Sequence, residues 1–337
     1  MSSLFTHELG ILIEIGDSEV LLKRLPLILL GVAVALWALA WHGVNQWTRP
    51  KRIRPRRQPR DYGLPSEEVQ FASRDGLTLR GWLITPPIAN DQLAITHAVI
   101  FCHGHGGSKE PDLIYVPWFI ECGIPVLLFD FRNHGQSEGN LTSMGFYERF
   151  DLLGAIDYLV SHGYTRIGLL GFSMGAAVAV ATAPLSDYVE CVVADSAFAT
   201  LPPTLALGMV DKGFPRWFAE RFVHLIIALG ARRLRCDVSE AYPVRAVRHF
   251  GPTPLLLILG GRDEYIEAWQ GCWLYAEATG PKEFWFVPDA KHRAVDQHEP
   301  ELYRAKVIGF FARWLLGEES IESIEGRKRK DERKNSE

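Results

Sequence analysis

The stretch Ile167-Gly168-Leu169-Leu170-Gly171-Phe172-Ser173-Met174-Gly175-Ala176-Ala177 decides the reading of this chain. Residues 167–170 form an apolar run of the length of a buried strand, and from Met174 small residues follow in a helical pattern. Ser173 stands at the junction, with a glycine two positions before it and another two after. A strand-to-helix elbow strains the backbone at its central residue and lifts that residue's hydroxyl into the mouth of a site. The flanking glycines leave room for the neighbouring strand and helix. Gly-x-Ser-x-Gly alone arises by chance; its setting here points to a nucleophile, against the plain alternative of a helix-capping serine. A helix N-terminus just behind it favours developing negative charge.

A serine hydroxyl needs a base to take its proton. A serine on such an elbow is followed in the chain by an acid and then a histidine. His292 follows an apolar strand pattern at 283–287 and the short loop Pro288-Asp289-Ala290-Lys291, ahead of the last helix. That is the expected place for the base. His224 falls in an insertion, His249 precedes a strand, and His298 lies too near the last helix. For the acid, the run 255–259 leads into Gly260-Gly261-Arg262-Asp263-Glu264, which nominates Asp263. Its role would be to hold the imidazole tautomer and stabilise the imidazolium. Glu264 and Asp195 are the alternatives, Asp195 being read as a loop-ordering hydrogen bonder.

Two backbone amides are needed to hold an oxyanion. One is expected from Met174, the residue after the nucleophile, and the other from His105 in the loop His103-Gly104-His105-Gly106-Gly107, whose glycines let backbone approach a ligand. His103-x-His105 also invites a metal reading, but no acidic or histidine cluster accompanies it at ligand spacing. No metal or organic cofactor is expected. Asp130 and His134 are read as organising the adjacent loop.

Around this centre, residues 61–317 alternate strand and helix patterns. Strands are expected near 69–74, 78–85, 97–102, 125–130, 166–170, 190–194, 254–259 and 283–287. Helices are expected near 115–121, 146–160, 174–183, 268–278 and 303–316. Continuous apolar strands separated by helices imply a mostly parallel sheet covered on both faces. The chain has 337 residues and is 47% hydrophobic, enough for one sizeable core. Its five cysteines form no CxxC pair, which argues against a disulfide framework and a zinc ribbon. A net charge of −4 does not suit a polyanion binder, and no nucleic-acid partner is expected.

These motifs together resemble the α/β-hydrolases described as serine aminopeptidase-like or Bem46-like, over residues 69–316. The resemblance rests on Phe71-x-Ser73-x-Asp75-Gly76-x-x-Leu79-x-Gly81-Trp82, His103-Gly104-x-Gly106-Gly107, Asp130-x-Arg132-x-His134-Gly135-x-Ser137, the elbow at Ser173, Gly261-x-Asp263 and Ala290-x-His292. It implies the α/β-hydrolase fold, an eight-stranded mostly parallel sheet with helices on both faces and a helical lid insertion. It is not specific for a substrate, since such hydrolases include esterases, acylglycerol lipases and thioesterases, and membrane-anchored members exist. His105 departs from the pattern, standing where an apolar or small residue is common.

Outside the domain, residues 25–44 carry no charge and are long enough to cross a bilayer. The expectation is an uncleaved transmembrane helix after an N-terminal segment, 1–24, with a signal peptide and a buried soluble helix as alternatives. Residues 45–60 hold Pro50, Pro55 and Pro59 and a run of arginines, and are read as an extended basic linker beside anionic headgroups. That charge bias puts the catalytic domain on the cytoplasmic side. Residues 318–337 are read as a charged disordered tail. The lid, about 199–236, is rich in leucine and phenylalanine, which suits either a lipid-like acyl substrate or its own packing. Arg232, Arg233 and Arg235 there either meet headgroups or face solvent. The expected reaction is hydrolysis of a carboxylic ester or thioester through an acyl-serine. A peptidase or amidase with the same machinery, and a membrane-tethered binding protein on a hydrolase scaffold, are the alternatives. Oligomeric state is left open.

Overall fold

The computed structural model describes residues 2–87 and 95–317, with side chains from Lys23 onward. The tail expected at 318–337 lies outside the described residues, as do nearly all side chains of 1–24.

Eight strands among the described residues form one sheet: β1 (Ser66–Ala72), β2 (Thr78–Ile84), β3 (His97–Cys102), β4 (Val126–Phe129), β5 (Arg166–Phe172), β6 (Val189–Asp195), β7 (Leu255–Gly260) and β8 (Lys282–Val287). Their spatial order is β1-β2-β4-β3-β5-β6-β7-β8. β2 pairs antiparallel with β1 and β4, and every other pair is parallel. The helices are α1 (Ser2–Thr48), α2 (Val116–Glu121), α3 (Glu148–Ser161), α4 (Met174–Thr182), α5 (Leu201–Asp211), α6 (Arg216–Leu234), α7 (Pro243–Ala246), α8 (Ala268–Glu277), α9 (Val295–His298) and α10 (Pro300–Phe311).

The apolar strands are continuous because both of their faces are covered. Along β3, Ala98, Ile100 and Cys102 pack in one layer with Leu152 and Ile156 of α3 and Val178 of α4. The intervening Val99 and Phe101 point the other way, against Phe119 of α2 and Val307 and Phe311 of α10. This period of two sandwiches the sheet between helices. It also lines up the loops after β3, β5, β7 and β8 along one edge, where parallel sheets hold ligands.

The expected elements agree with these to within a few residues. The last helix starts earlier, at Pro300, after the separate turn α9 that contains His298. The insertion after β6 folds as the helical pair α5–α6.

The N-terminal region differs more. α1 is continuous to Thr48, so the stretch expected as linker begins as helix. Residues 23–38 are exposed throughout, whereas Ala40, Val44 and Trp47 are buried. Spacings of four and three put these three on one helical face. That face packs on α6 through two size-matched contacts. A side chain at Gly43 would strike Ile226, and one at Gly230 would strike the Trp47 indole. The helix therefore has an exposed apolar part, 25–38, and a part built into the domain. Beyond it the arginine-rich stretch is extended, as its prolines require, but it is laid on the domain. Arg52 donates to the carbonyl oxygens of Ser137 and Gly139. By length and composition α1 can cross a membrane: Lys23–Thr48 holds an 18-residue window of mean hydropathy 2.1 that is 11% buried.

Candidate active site

β5 ends at Phe172, and Ser173 follows with φ 54° and ψ −116°, before α4 starts at Met174. Such a backbone is costly for a non-glycine residue and persists only where its surroundings enforce it. Here they do. A Cβ on Gly175 would lie 1.9 Å from the Cys102 carbonyl oxygen, and one on Gly171 would lie 2.5 Å from Ala176 Cα. The two glycines let the elbow press against β3 and the start of α4. The Ser173 amide is held by the Asp195 carbonyl at 2.8 Å.

His292 Nε2 lies 2.9 Å from Ser173 Oγ, and its Nδ1 lies 2.7 Å from Asp263 Oδ2. With Nδ1–H donating to the carboxylate, Nε2 is free to accept the serine proton. The Asp263 side chain is fully buried, and that of His292 keeps 16% exposure. Burial of the carboxylate is offset by hydrogen bonds from the Tyr265 and Ile266 amides at 2.9 and 2.8 Å. Glu264 is not in this line; its carboxylate accepts from the His292 amide at 3.2 Å. Asp195 is buried and accepts from Tyr303 and Ser196 hydroxyls at 2.8 and 2.9 Å. The remaining histidines downstream, His224, His249 and His298, sit in α6, ahead of β7, and in α9.

The loop after β3 runs against the nucleophile: a Cβ on Gly104 would be 3.4 Å from Ser173 Cβ. The next amide is that of His105. Met174 is the first residue of α4, so its N–H has no acceptor within the helix. Both amides lack an acceptor among the described residues. The His105 ring does something the sequence did not indicate. Its Nε2 lies 2.9 Å from the carbonyl oxygen of Trp47, and as a donor there it ties the loop to the end of α1.

Two further imidazoles brace this loop. His103 Nε2 accepts from the Phe131 amide and its Nδ1 donates to the Gly104 carbonyl, at 3.0 and 2.8 Å. His134 Nε2 accepts from the Gly106 amide and its Nδ1 donates to the Arg132 carbonyl. Each ring has one donor and one acceptor, so both are neutral. Burial pushes His103 down to about 4 and lowers His134 as well. Beside them Asp130 is paired with the buried Lys109 ammonium at 2.6 Å. Asp130 and His134 thus organise the loop.

Arg293, directly after His292, gave no signal in the sequence. Its guanidinium pairs with the buried Asp112 at 2.7 Å and lies 4.3 Å from the Phe172 ring centroid. It joins the histidine loop, the elbow and the segment after β3. A pocket of about 440 Å³ opens on Ser173 and His292, a size common for small-molecule sites. Its walls are mostly apolar, with Leu205 and Met209 of α5, Ile226 of α6 and Trp47 of α1 among them.

A family model for the alpha/beta hydrolase family matches residues 99–305, and this chain belongs to that family. Among its relatives, YqkD of Bacillus subtilis is 31% identical over 220 residues, spanning 64% of this chain and 70% of that protein. YfhR of Escherichia coli K12 is 29% identical, spanning 73% and 80%. Among solved structures, the esterase Pf2001 of Pyrococcus furiosus matches with a TM-score of 0.66 at 28% identity. That match spans 80% of this chain and 98% of the esterase.

Proposed function

We propose that the protein is a serine hydrolase that cleaves a carboxylic ester or thioester through an acyl-Ser173 intermediate. The observation that carries this reading is the unbroken line Asp263–His292–Ser173, with contacts of 2.7 and 2.9 Å. Ser173 Oγ attacks the acyl carbon while His292 Nε2 takes its proton. The tetrahedral oxyanion is held by the amides of His105 and Met174. Collapse breaks the bond to the alcohol or thiol, which leaves with the proton from His292. Water, activated by the same imidazole, then releases the acid and restores Ser173. None of these steps calls for a metal or organic cofactor. Likeness to an esterase supports an ester over an amide as substrate.

We further propose that α1 anchors the chain in a membrane with the domain on the cytoplasmic side. The exposed apolar surface of residues 25–38 and the basic block that follows support this orientation. Protease added to sealed vesicles of known sidedness tests it: digestion of the domain from the outer face would overturn it. For the chemistry, an alkyl fluorophosphonate should label the wild type and not Ser173→Ala. Equal labelling of both, or failure of the wild type to hydrolyse p-nitrophenyl esters, would overturn the enzyme assignment.

A further inference from the structure

The pocket at Ser173 is not closed by the hydrolase domain alone. Gly43, Gln46 and Trp47 of α1 form part of its wall, facing Leu205, Met209 and Ile226 of the insertion. Gln46 is hydrogen bonded to Lys212 at the end of α5, and the Trp47 carbonyl to the His105 ring. The helix read as the anchor is thus also a side of the active-site pocket.

The position along α1 matters. At 1.5 Å per residue, about 20 residues cover the roughly 30 Å of bilayer hydrocarbon. A span entered at Leu25, after the charged Lys23 and Arg24, therefore leaves the hydrocarbon at about Val44. Gly43, at that exit, already lines the pocket. Trp37 and Trp41, both exposed, stack at 5.8 Å just before this point, and Arg233 of α6 lies 5.2 Å from the Trp41 ring. Exposed tryptophans with an arginine are the composition of a membrane–water boundary. The apolar surface of α1 thus runs from the hydrocarbon to the pocket without a polar gap in the helix: from Leu25 to Val44 its one charge-bearing candidate is His42.

We infer that the substrate is a membrane-resident amphiphile with a long acyl chain, which enters the pocket along α1 while its ester group stops at Ser173. This rests on the proposed serine hydrolase reading and on α1 as the anchor. Most of the surface along this route is apolar, so less of the chain is transferred into water than on a route through solvent.

The test uses the full chain in vesicles of phosphatidylcholine and phosphatidylglycerol. The probe is a fluorophosphonate with a hexadecyl chain ending in a diazirine. Ser173 Oγ forms a bond to phosphorus, its proton passes to His292, and fluoride leaves. Illumination then links the end of the chain to whatever it touches. Links to residues 36–47 of α1 are expected. Labelled Ser173 with links confined to other elements would overturn the inference and leave the hydrolase reading intact. No labelling of Ser173 would overturn both.

A second measurement reads selectivity. In Trp47→Ala, the ratio of kcat/KM for p-nitrophenyl palmitate in the vesicles to that for p-nitrophenyl acetate should fall about tenfold. An unchanged ratio would overturn the inference. The cross-linking, done on the wild type, keeps the test independent of how well the variant folds. To separate a membrane source from an aqueous one, 1-palmitoylglycerol in the vesicles is compared with palmitoyl coenzyme A in solution. Faster turnover of the soluble thioester would overturn the membrane route.

Discussion

The loop after β8 and the loops after β3 and β4 all carry histidine to the same edge of the sheet, in opposite settings. His292 keeps part of its surface open, and both ring nitrogens meet side chains, Asp263 on one side and Ser173 on the other. His103 and His134 are buried, and their rings are bonded to backbone amides and carbonyls. On the proposed reading, one imidazole exchanges a proton with a neighbour that reacts. The other two cannot gain a proton without breaking an accepted hydrogen bond, so they act as struts. The same residue type thus divides into chemistry and scaffold according to what its nitrogens face and how much water reaches it.

The comparison predicts opposite phenotypes for the two loops. The largest effect is on catalysis: Ser173→Ala or His292→Ala should lower kcat for p-nitrophenyl butyrate by about 10⁴-fold or more, with Tm little changed. If either variant keeps substantial activity, the division fails on the catalytic side. Asp263→Asn should cost about 10³- to 10⁴-fold, because an amide no longer fixes the tautomer. Glu264→Gln sharpens the assignment. Among the described residues its carboxylate accepts only from the His292 amide, so kcat/KM should change by no more than about fivefold.

The struts should respond through stability. His134→Ala leaves the Gly106 amide without its acceptor and should cost about 2 kcal/mol, seen as a drop of several degrees in Tm. Acid provides the milder perturbation. The unfolded chain protonates His103 near its ordinary value of 6.5, whereas the folded protein does not until about 4. Between these values the unfolded state binds the extra proton, so stability is present above about pH 6.5 and is lost as pH falls toward 4. Tm should decline across that window, and His103→Gln should flatten the decline; an equal slope in both would remove His103 as its source.

Much of the site was legible in the sequence because its signals are local. The elbow needs a strand, a turn with small flanking residues and a helix, all within a dozen positions, and Gly171 and Gly175 do make the close approaches that this requires. Asp263 and His292 were found as residues just past apolar runs, and the sheet brings both to Ser173. For His105 the sequence spoke only of the backbone amide, nominated from the glycine-rich loop, whereas the ring is explained by Trp47, 58 positions earlier. Arg293 is explained by Asp112, 181 positions away, and nothing near it in the chain indicates a partner.

α1 marks the boundary between the two kinds of information most clearly. Composition and length by themselves determined that an apolar helix stands near the N-terminus, because hydropathy sums over neighbouring residues and needs no partner. They also determined the order of strands and helices and the identity of the elbow. That the helix runs on to Thr48, seats Trp47 over Gly230, and supplies a wall to the pocket at Ser173 was decided only by the tertiary structure. The physical reason is that an apolar residue carries the same signal whether it meets lipid or protein. Only the packed partner, here α6, tells the two apart.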